Sequence, residues 1–131
     1  MDVYRTPGAF SWNELMTSDP DAALAFYAPL FGWAVETMAM PAGPYHLLKL
    51  GDTAVGGVMK LPEEAAADGA PSAWGSYVTV ADVDATCAKA VSLGGHVLHD
   101  PVDVKGVGRF AVIVDPQGAA INVMAYAAPG G

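Results

Sequence analysis

The chain has 131 residues, of which 53% are hydrophobic and 15% are charged, and its formal net charge is −8 at pH 7. This length suits one domain, and the apolar content is enough for a hydrophobic core, which excludes a disordered chain. The 14 acidic residues outnumber six basic ones, and no lysine or arginine cluster could neutralise a run of phosphates. We therefore expect no nucleic-acid partner.

No segment has the apolar length of a secretion signal or a membrane span, so we expect a cytoplasmic protein with no membrane partner. The only cysteine, Cys87, has no partner for an internal disulfide and is interpreted as a small buried side chain.

The first half of the chain predicts a strand, a helix and three further strands. The helix begins after Asp19, whose carboxylate can accept a hydrogen bond from a free backbone N–H group, and it ends at Gly32. Turn residues separate the strands that follow. The predicted strands are Phe10–Thr17, Ala34–Met38, Tyr45–Leu50 and Ala54–Met59.

The second half repeats this order. Residues 61–73, rich in Ala, Pro, Glu and Gly, form the predicted linker, and the next helix begins after Asp82 and ends at Gly94-Gly95. The predicted domain is a single unit over 1–131, with modules at 9–60 and 74–126 and a frayed tail at 127–131. The strands of this half are Ser76–Val80, His96–Val102, Arg109–Val114 and Ala119–Ala125.

A shift of 63 positions superposes the two halves. It places Asp19 on Asp82, Leu30 on Leu93 and Gly32 on Gly95, which indicates an internal duplication. The chain therefore predicts an α+β fold of two tandem βαβββ modules.

Several sequence features resemble the vicinal-oxygen-chelate superfamily, the group of glyoxalases, bleomycin resistance proteins and extradiol dioxygenases. They are the two modules, the Phe26-Tyr27 and Leu30-Phe31-Gly32-Trp33 signature, and Asp115-Pro116-Gln117-Gly118 before the last strand. The resemblance covers nearly the whole chain, and it is nearest to the metal-poor, glyoxalase-like branch. It implies a cupped, partly closed mixed sheet with the helices outside.

In metal-dependent members, His, Glu or Gln side chains from the first and last strands of each module bind a divalent ion. Alignment places these positions at Trp12, Gly75, Asn122, and either Gly57 or Met59. None of these residues can replace an imidazole or a carboxylate, and a catalytic site normally needs about three protein ligands. Because the chain departs from the family pattern at these positions, we expect no metal and no other cofactor here.

Strand alternation predicts which side chains face the cup. Two-residue turns would pair Arg109 with Met124 and His46 with Gly57, so both Arg109 and His46 would point inward; a one-residue bulge would reverse this. The predicted ligand-binding residues are Trp12, Glu14, His46, Tyr77, Arg109, Asn122 and Met124, with Met16, Thr79 and Ala111 beside them.

Structural roles remain open for several of these residues. Trp12 and Met124 could fill core space, Glu14 could form an ion pair with Arg109, and His46 could lie at a solvated strand edge. The other two histidines, His96 and His99, are expected in solvent, and Asp115 is expected to be a turn residue.

Two classes of function follow. The first is a metal-free binding module for a small apolar or aromatic molecule, with Arg109 binding an anionic group and Trp12 and Tyr77 stacking on the ligand. The second is a metal-independent isomerase or lyase in which Glu14 or His46 carries the proton. Metal-dependent glyoxalase or dioxygenase activity with atypical ligands is a further alternative. A homodimer is expected because open sheet edges need cover.

Overall fold

The computed structural model describes residues 1–127, so most of the tail predicted at 127–131 lies outside the described residues. The elements follow the predicted order, with one addition in the linker. They are β1 (Phe10–Thr17), α1 (Pro20–Phe31), β2 (Ala34–Met40), β3 (Gly43–Leu50), β4 (Thr53–Lys60), α2 (Glu63–Ala67), β5 (Ala73–Thr79), α3 (Val83–Ser92), β6 (His96–Val104), β7 (Gly108–Val114) and β8 (Ala120–Tyr126).

Both helix starts are confirmed. The Asp19 carboxylate accepts a hydrogen bond from the Ala22 amide at 3.1 Å, and the Asp82 carboxylate accepts one from the Ala85 amide at 3.0 Å. Helix α1 ends at Gly32, whose φ of 73° lies in the left-handed region that favours glycine. The predicted linker contains one element that the sequence analysis did not predict, the short helix α2 at residues 63–67.

The chain divides into two compact units, Trp12–Gly75 and a second one that joins Met1–Ser11 to the residues from Ser76 onward. In the first unit the strand order is β2-β3-β4-β1, with β1 parallel to β4 and the other pairs antiparallel. Leu15, Leu48 and Val58 form its core, against which Leu24 of α1 packs. We call the side of the sheet that carries these residues the helix face, and the other side the far face.

The second unit has the strand order β5-β8-β7-β6, with β5 parallel to β8. Its core joins Val83 and Cys87 of α3 to Ala111 and Val123 of the sheet, which defines the helix face of this unit. Cys87 is buried, as predicted. The two units confirm the α+β class and the mixed sheet of each βαβββ module.

The N-terminal residues are held by the second unit. The Gly8 amide donates to the Thr79 carbonyl at 2.8 Å, and the Thr79 amide donates to the Ala9 carbonyl at 2.9 Å. The Thr79 hydroxyl donates to the Val3 carbonyl at 2.6 Å. The residues before β1 are therefore fixed by backbone hydrogen bonds to β5.

The predicted register of the last hairpin was wrong by one residue. Arg109 lies opposite Ala125, and Asn122 lies opposite Val112. The turn contains three residues instead of two, because Asp115 pairs with Ala119 and Gly118 takes a φ of 97°. Since neighbouring residues of a strand point to opposite faces, this extra residue turns Arg109 away from Asn122 and Met124.

The predicted register of the first hairpin was wrong for a different reason. Its turn is as predicted, since Leu50 pairs with Thr53, but a bulge shifts the register between Leu48 and Lys49. His46 consequently lies opposite Val58 instead of Gly57, and so belongs to the helix face.

Within the described residues, no helix has the length and apolar character needed to cross a lipid bilayer.

Candidate functional site

The far face of the first unit carries a chain of hydrogen bonds that joins three side chains. Trp12 Nε1 donates to the Tyr45 hydroxyl at 2.9 Å, and the Tyr45 hydroxyl donates to Glu14 Oε2 at 2.6 Å. Glu14 is only 7% exposed, whereas Trp12 and Tyr45 are half-buried. A buried carboxyl is therefore held in one orientation beside two aromatic rings that remain partly accessible.

Gly57 makes room for this arrangement. It lies directly opposite Glu14 in the β1–β4 pair, and a Cβ atom built on it would overlap the ring and hydroxyl of Tyr45. Any side chain at position 57 would thus displace Tyr45 from Glu14. Gly57 is one of the two alternatives for a family metal-ligand position, and the space that its side chain would take is filled here by Tyr45.

His46 does not join this group. Its Nδ1 atom lies 2.8 Å from the Thr37 hydroxyl, on the helix face, while Glu14 lies on the far face. The two side chains proposed as alternative proton carriers are therefore on opposite sides of one sheet, and they cannot act at the same reacting atom.

The far face of the second unit carries three of the predicted residues together. Tyr77 lies opposite Asn122, and Phe110 lies opposite Met124. Tyr77 and Met124 are 5% and 6% exposed, and the Asn122 amide donates to the Ser76 carbonyl at 3.2 Å. The prediction that Tyr77, Asn122 and Met124 share a face is confirmed, whereas their contact with a ligand stays a prediction.

Arg109 is on the helix face of this unit, where it binds two carboxylates. Its Nε and Nη2 atoms donate to the two carboxylate oxygens of Asp84 at 2.8 and 3.0 Å, and Nη1 donates to Asp103 at 3.2 Å. These hydrogen bonds raise the pKa of the Arg109 guanidinium and lower the pKa of the Asp84 carboxyl. The predicted Glu14–Arg109 pair is therefore wrong, and Ala111, buried beside α3, is also turned away from the far face.

Three residues that lie on the far faces were not predicted from the sequence. Tyr45 was overlooked because the bulge near Leu48 was not anticipated, and Phe110 because the last turn was taken to be one residue shorter. His99 was expected in solvent; it is exposed, but its ring stacks on Phe110 with centroids 5.4 Å apart and an interplanar angle of 17°. The composition of Asp115–Gly118 could have suggested the longer turn, since Gly118 suits a left-handed position.

Comparison with known proteins defines the class. Residues 9–123 match the model of the Glyoxalase/Bleomycin resistance protein/Dioxygenase superfamily. The chain therefore belongs to this family.

Particular relatives place the chain within that family. It is 48% identical over 118 residues to a Mycobacterium tuberculosis protein named as a candidate glyoxylase, CFP32, and this match covers 89% of the chain and 44% of the relative. It is 35% identical over 128 residues to the anthracycline biosynthesis protein DnrV of Streptomyces peucetius, covering 89% of the chain and 46% of the relative. The chain thus spans less than half the length of these curated relatives.

Solved structures show the same fold. A methylmalonyl-CoA epimerase of Streptomyces coelicolor superposes with a TM-score of 0.68 at 21% identity, over 94% of this chain and all of that chain. The epimerase of Mycobacterium tuberculosis superposes with a TM-score of 0.65 at 18% identity, over 93% of this chain and 89% of that chain. At this identity the likeness concerns the fold alone.

The donor chemistry of each unit does not fit the divalent metal that the family implies. The far face of the first unit offers Glu14, whereas Trp12 and either Gly57 or Met59 occupy the aligned ligand positions. The far face of the second unit offers Asn122. Within residues 1–127, no group of three His, Cys, Asp or Glu side chains could hold a metal ion. A catalytic divalent site normally needs about three protein ligands.

Proposed function

We propose that the protein binds a small apolar or aromatic molecule, without a metal ion, on the far face of the first unit. The observation that carries the proposal is the Trp12–Tyr45–Glu14 hydrogen-bond chain. Two partly accessible aromatic rings supply stacking surface, and one fixed carboxyl supplies a polar contact that sets the orientation of the ligand. Such a combination of apolar lining with few polar groups is typical of small-molecule sites.

The chemistry of the ligand is inferred from the side chains that lie on the far face of the first unit. Arg109 was the reason to expect an anionic group, and it is bound by Asp84 and Asp103, so the proposal concerns an uncharged molecule. The aromatic preference is supported by the half-buried rings of Trp12 and Tyr45, which both lie on the far face of the first unit. It is also supported by the relative named for anthracycline biosynthesis, because anthracyclines are polycyclic aromatic compounds.

Calorimetry with a panel of uncharged polycyclic aromatic compounds tests the proposal. Trp12→Ala should weaken binding about ten-fold or more, since it removes a stacking surface and the indole N–H group that orients Tyr45. Phe26→Ala is the matched control, because Phe26 is an exposed aromatic on α1, away from the far face. Equal affinities for the wild type and Trp12→Ala would contradict the site.

Elemental analysis of the purified protein tests the metal-free character. We expect much less than one equivalent of zinc, nickel, manganese or iron per chain. About one equivalent that survives dialysis against a chelator, and that Glu14→Gln removes, would contradict this part of the proposal and favour an atypical metal site.

A second candidate function is a metal-independent isomerase or lyase in which Glu14 is the proton carrier. The burial of Glu14 and its 2.6 Å hydrogen bond from Tyr45 favour it, because a fixed, poorly hydrated carboxyl suits general acid–base catalysis. Deuterium uptake from D2O beside the carbonyl of acyl thioesters and keto acids, followed by NMR, tests it. Uptake that Glu14→Gln abolishes would establish an enzyme, and no uptake above buffer would leave the binding function.

We further propose a cytoplasmic homodimer. β2 and β6 are outer strands in the sheet order, and they carry the exposed hydrophobic side chains Val35, Met38 and Leu98. Burial of such surface and of unpaired strand edges stabilises association. Light scattering at micromolar concentration should give twice the chain mass, and a single species of one chain mass would contradict the dimer.

A further inference from the structure

A concave aromatic pocket lies on the helix face of the first unit, on the other side of the sheet from Trp12 and Glu14. Its cavity volume is about 560 Å³, within the range of roughly 300–1,000 Å³ found for small-molecule sites. Its walls are the rings of Tyr27, Phe31, Trp33 and Trp74, and Asn13 and Gly56 lie at its floor. We call these six residues the aromatic pocket.

The four rings hold one another in place. Tyr27 and Trp74 meet edge to face with centroids 5.3 Å apart, and Trp74 Nε1 donates to the Tyr27 hydroxyl at 3.2 Å. Phe31 and Trp33 lie on the remaining side with centroids 5.0 Å apart. The walls are therefore ordered before any ligand arrives, which lowers the entropic cost of binding.

Gly56 keeps one part of the pocket lining, which also includes Leu48, Leu50 and Val55, free of a side chain. Gly56 lies opposite Leu48, and a Cβ atom on Gly56 would come within 3.0 Å of the Asn13 carbonyl oxygen and 3.7 Å of Leu48 Cδ1. The bulge that follows Leu48 brings this glycine to the helix face. A flat molecule could therefore lie against the backbone there and meet the rings with its own face or edge.

We propose that the aromatic pocket is a second binding site, distinct from the far face, for an uncharged planar aromatic molecule. Phe31 and Trp74 are 56% and 41% exposed, so a ligand would remove a large aromatic surface from water. None of the described residues that line the pocket is charged. A cage for a quaternary ammonium ion would gain from a nearby carboxylate, whereas stacking and dispersion favour a neutral ring system here.

The distribution of tryptophan provides the test. The chain has three tryptophans, and Trp12→Phe leaves Trp33 and Trp74, which both line the pocket, as the remaining indole fluorophores. In this background we would titrate the uncharged aromatic amine N-phenyl-1-naphthylamine and follow the tryptophan emission together with the probe emission. We expect saturable quenching of the tryptophans with a matching rise in probe fluorescence.

Phe31→Ala and Leu30→Ala in the same background form a matched pair. Both residues lie at the end of α1 and are 56% exposed, but only Phe31 lines the pocket. Phe31→Ala should weaken probe binding roughly ten-fold, and Leu30→Ala should leave it within about two-fold of the background. Circular dichroism would check that both variants fold, and Trp74→Phe, which keeps a ring, should give an intermediate affinity.

Other outcomes would overturn the inference. Equal affinities for Phe31→Ala and Leu30→Ala would place the probe elsewhere, and loss of all binding in Trp12→Phe would place it on the far face. Displacement by tetramethylammonium would indicate a cation site. A change in oligomeric state with Phe31→Ala, at unchanged probe affinity, would show that a second copy of the chain covers these rings.

Discussion

Removal of a single oxygen atom tests the organisation of the far face. Tyr45→Phe deletes the hydroxyl that accepts a hydrogen bond from Trp12 and donates one to Glu14, while the ring stays over Gly57. Hydrogen bonds to charged groups contribute about 1.5–3 kcal/mol, and a half-buried neutral bond contributes about 0.5–1 kcal/mol. Since no cavity of appreciable size is created, we expect the variant to lose about 2–4 kcal/mol of unfolding free energy.

Urea denaturation followed by circular dichroism measures this loss. The midpoint should fall by roughly 1–2 M at an unchanged slope, because the surface that unfolding exposes is the same. Tyr27→Phe is the control. It removes a hydroxyl that accepts a longer, exposed hydrogen bond, and it should lower the unfolding free energy by less than about 1 kcal/mol.

A double-mutant cycle assigns the effect to the pair. With Glu14→Gln as the second change, the coupling energy between Tyr45 and Glu14 should exceed about 1 kcal/mol, as for residues in direct contact. A Tyr45→Phe variant as stable as the wild type, or a cycle without coupling, would refute the reasoning that this hydrogen bond fixes the buried carboxyl.

Three further predictions concern Gly57, Asp84 and Cys87. Gly57→Ala should lower the unfolding free energy by at least as much as Tyr45→Phe, and by much less in a Tyr45→Ala background, because the new Cβ overlaps the Tyr45 ring; equal costs in both backgrounds would contradict this. The pKa of Asp84 is lower in the folded chain, so the Arg109 pair stabilises the fold above the ordinary carboxyl pKa, and this contribution fades as the pH falls through the folded value. The stability difference between wild type and Asp84→Asn should therefore shrink in urea titrations as the pH is lowered from 7 to about 2, and a constant difference would refute it. Burial foremost raises the pKa of the Cys87 thiol, so iodoacetamide should alkylate it slowly at pH 8 and rapidly in urea; rapid reaction of the folded chain would contradict the burial.

The sequence was sufficient for the elements of the fold. Helix starts depend on local chemistry, so Asp19 and Asp82 could be identified from their neighbours alone, and the 63-residue repeat supplied the second module from the first. The short helix α2 was missed because its Ala and Glu residues stand in a segment that also contains Pro and Gly, which favour a linker.

The site was harder to predict because the face of the sheet on which a side chain lies depends on the number of residues in the turn or bulge between two paired strands. Trp12 and Glu14 were placed together correctly, since both lie on one uninterrupted strand. Arg109 and His46 each lie across a hairpin, where one additional residue reverses the face. The Asp115 side chain accepts hydrogen bonds from the Gln117 and Ala119 amides, and this stabilises the longer turn that the two-residue interpretation lacked.

The bulge after Leu48 also bears on how such a chain could change during evolution. A one-residue slip of β3 against β4, which would remove the bulge and keep every residue, would pair His46 with Gly57 and exchange the faces of β3, so that His46 and Leu48 would replace Tyr45 and Leu47 beside Glu14. A change in strand register alone would thus bring an imidazole to a carboxyl. In a duplicated module, where one copy can vary while the other keeps its core, mutations that create or remove a bulge offer a short genetic route from a binding surface to a new set of reactive groups.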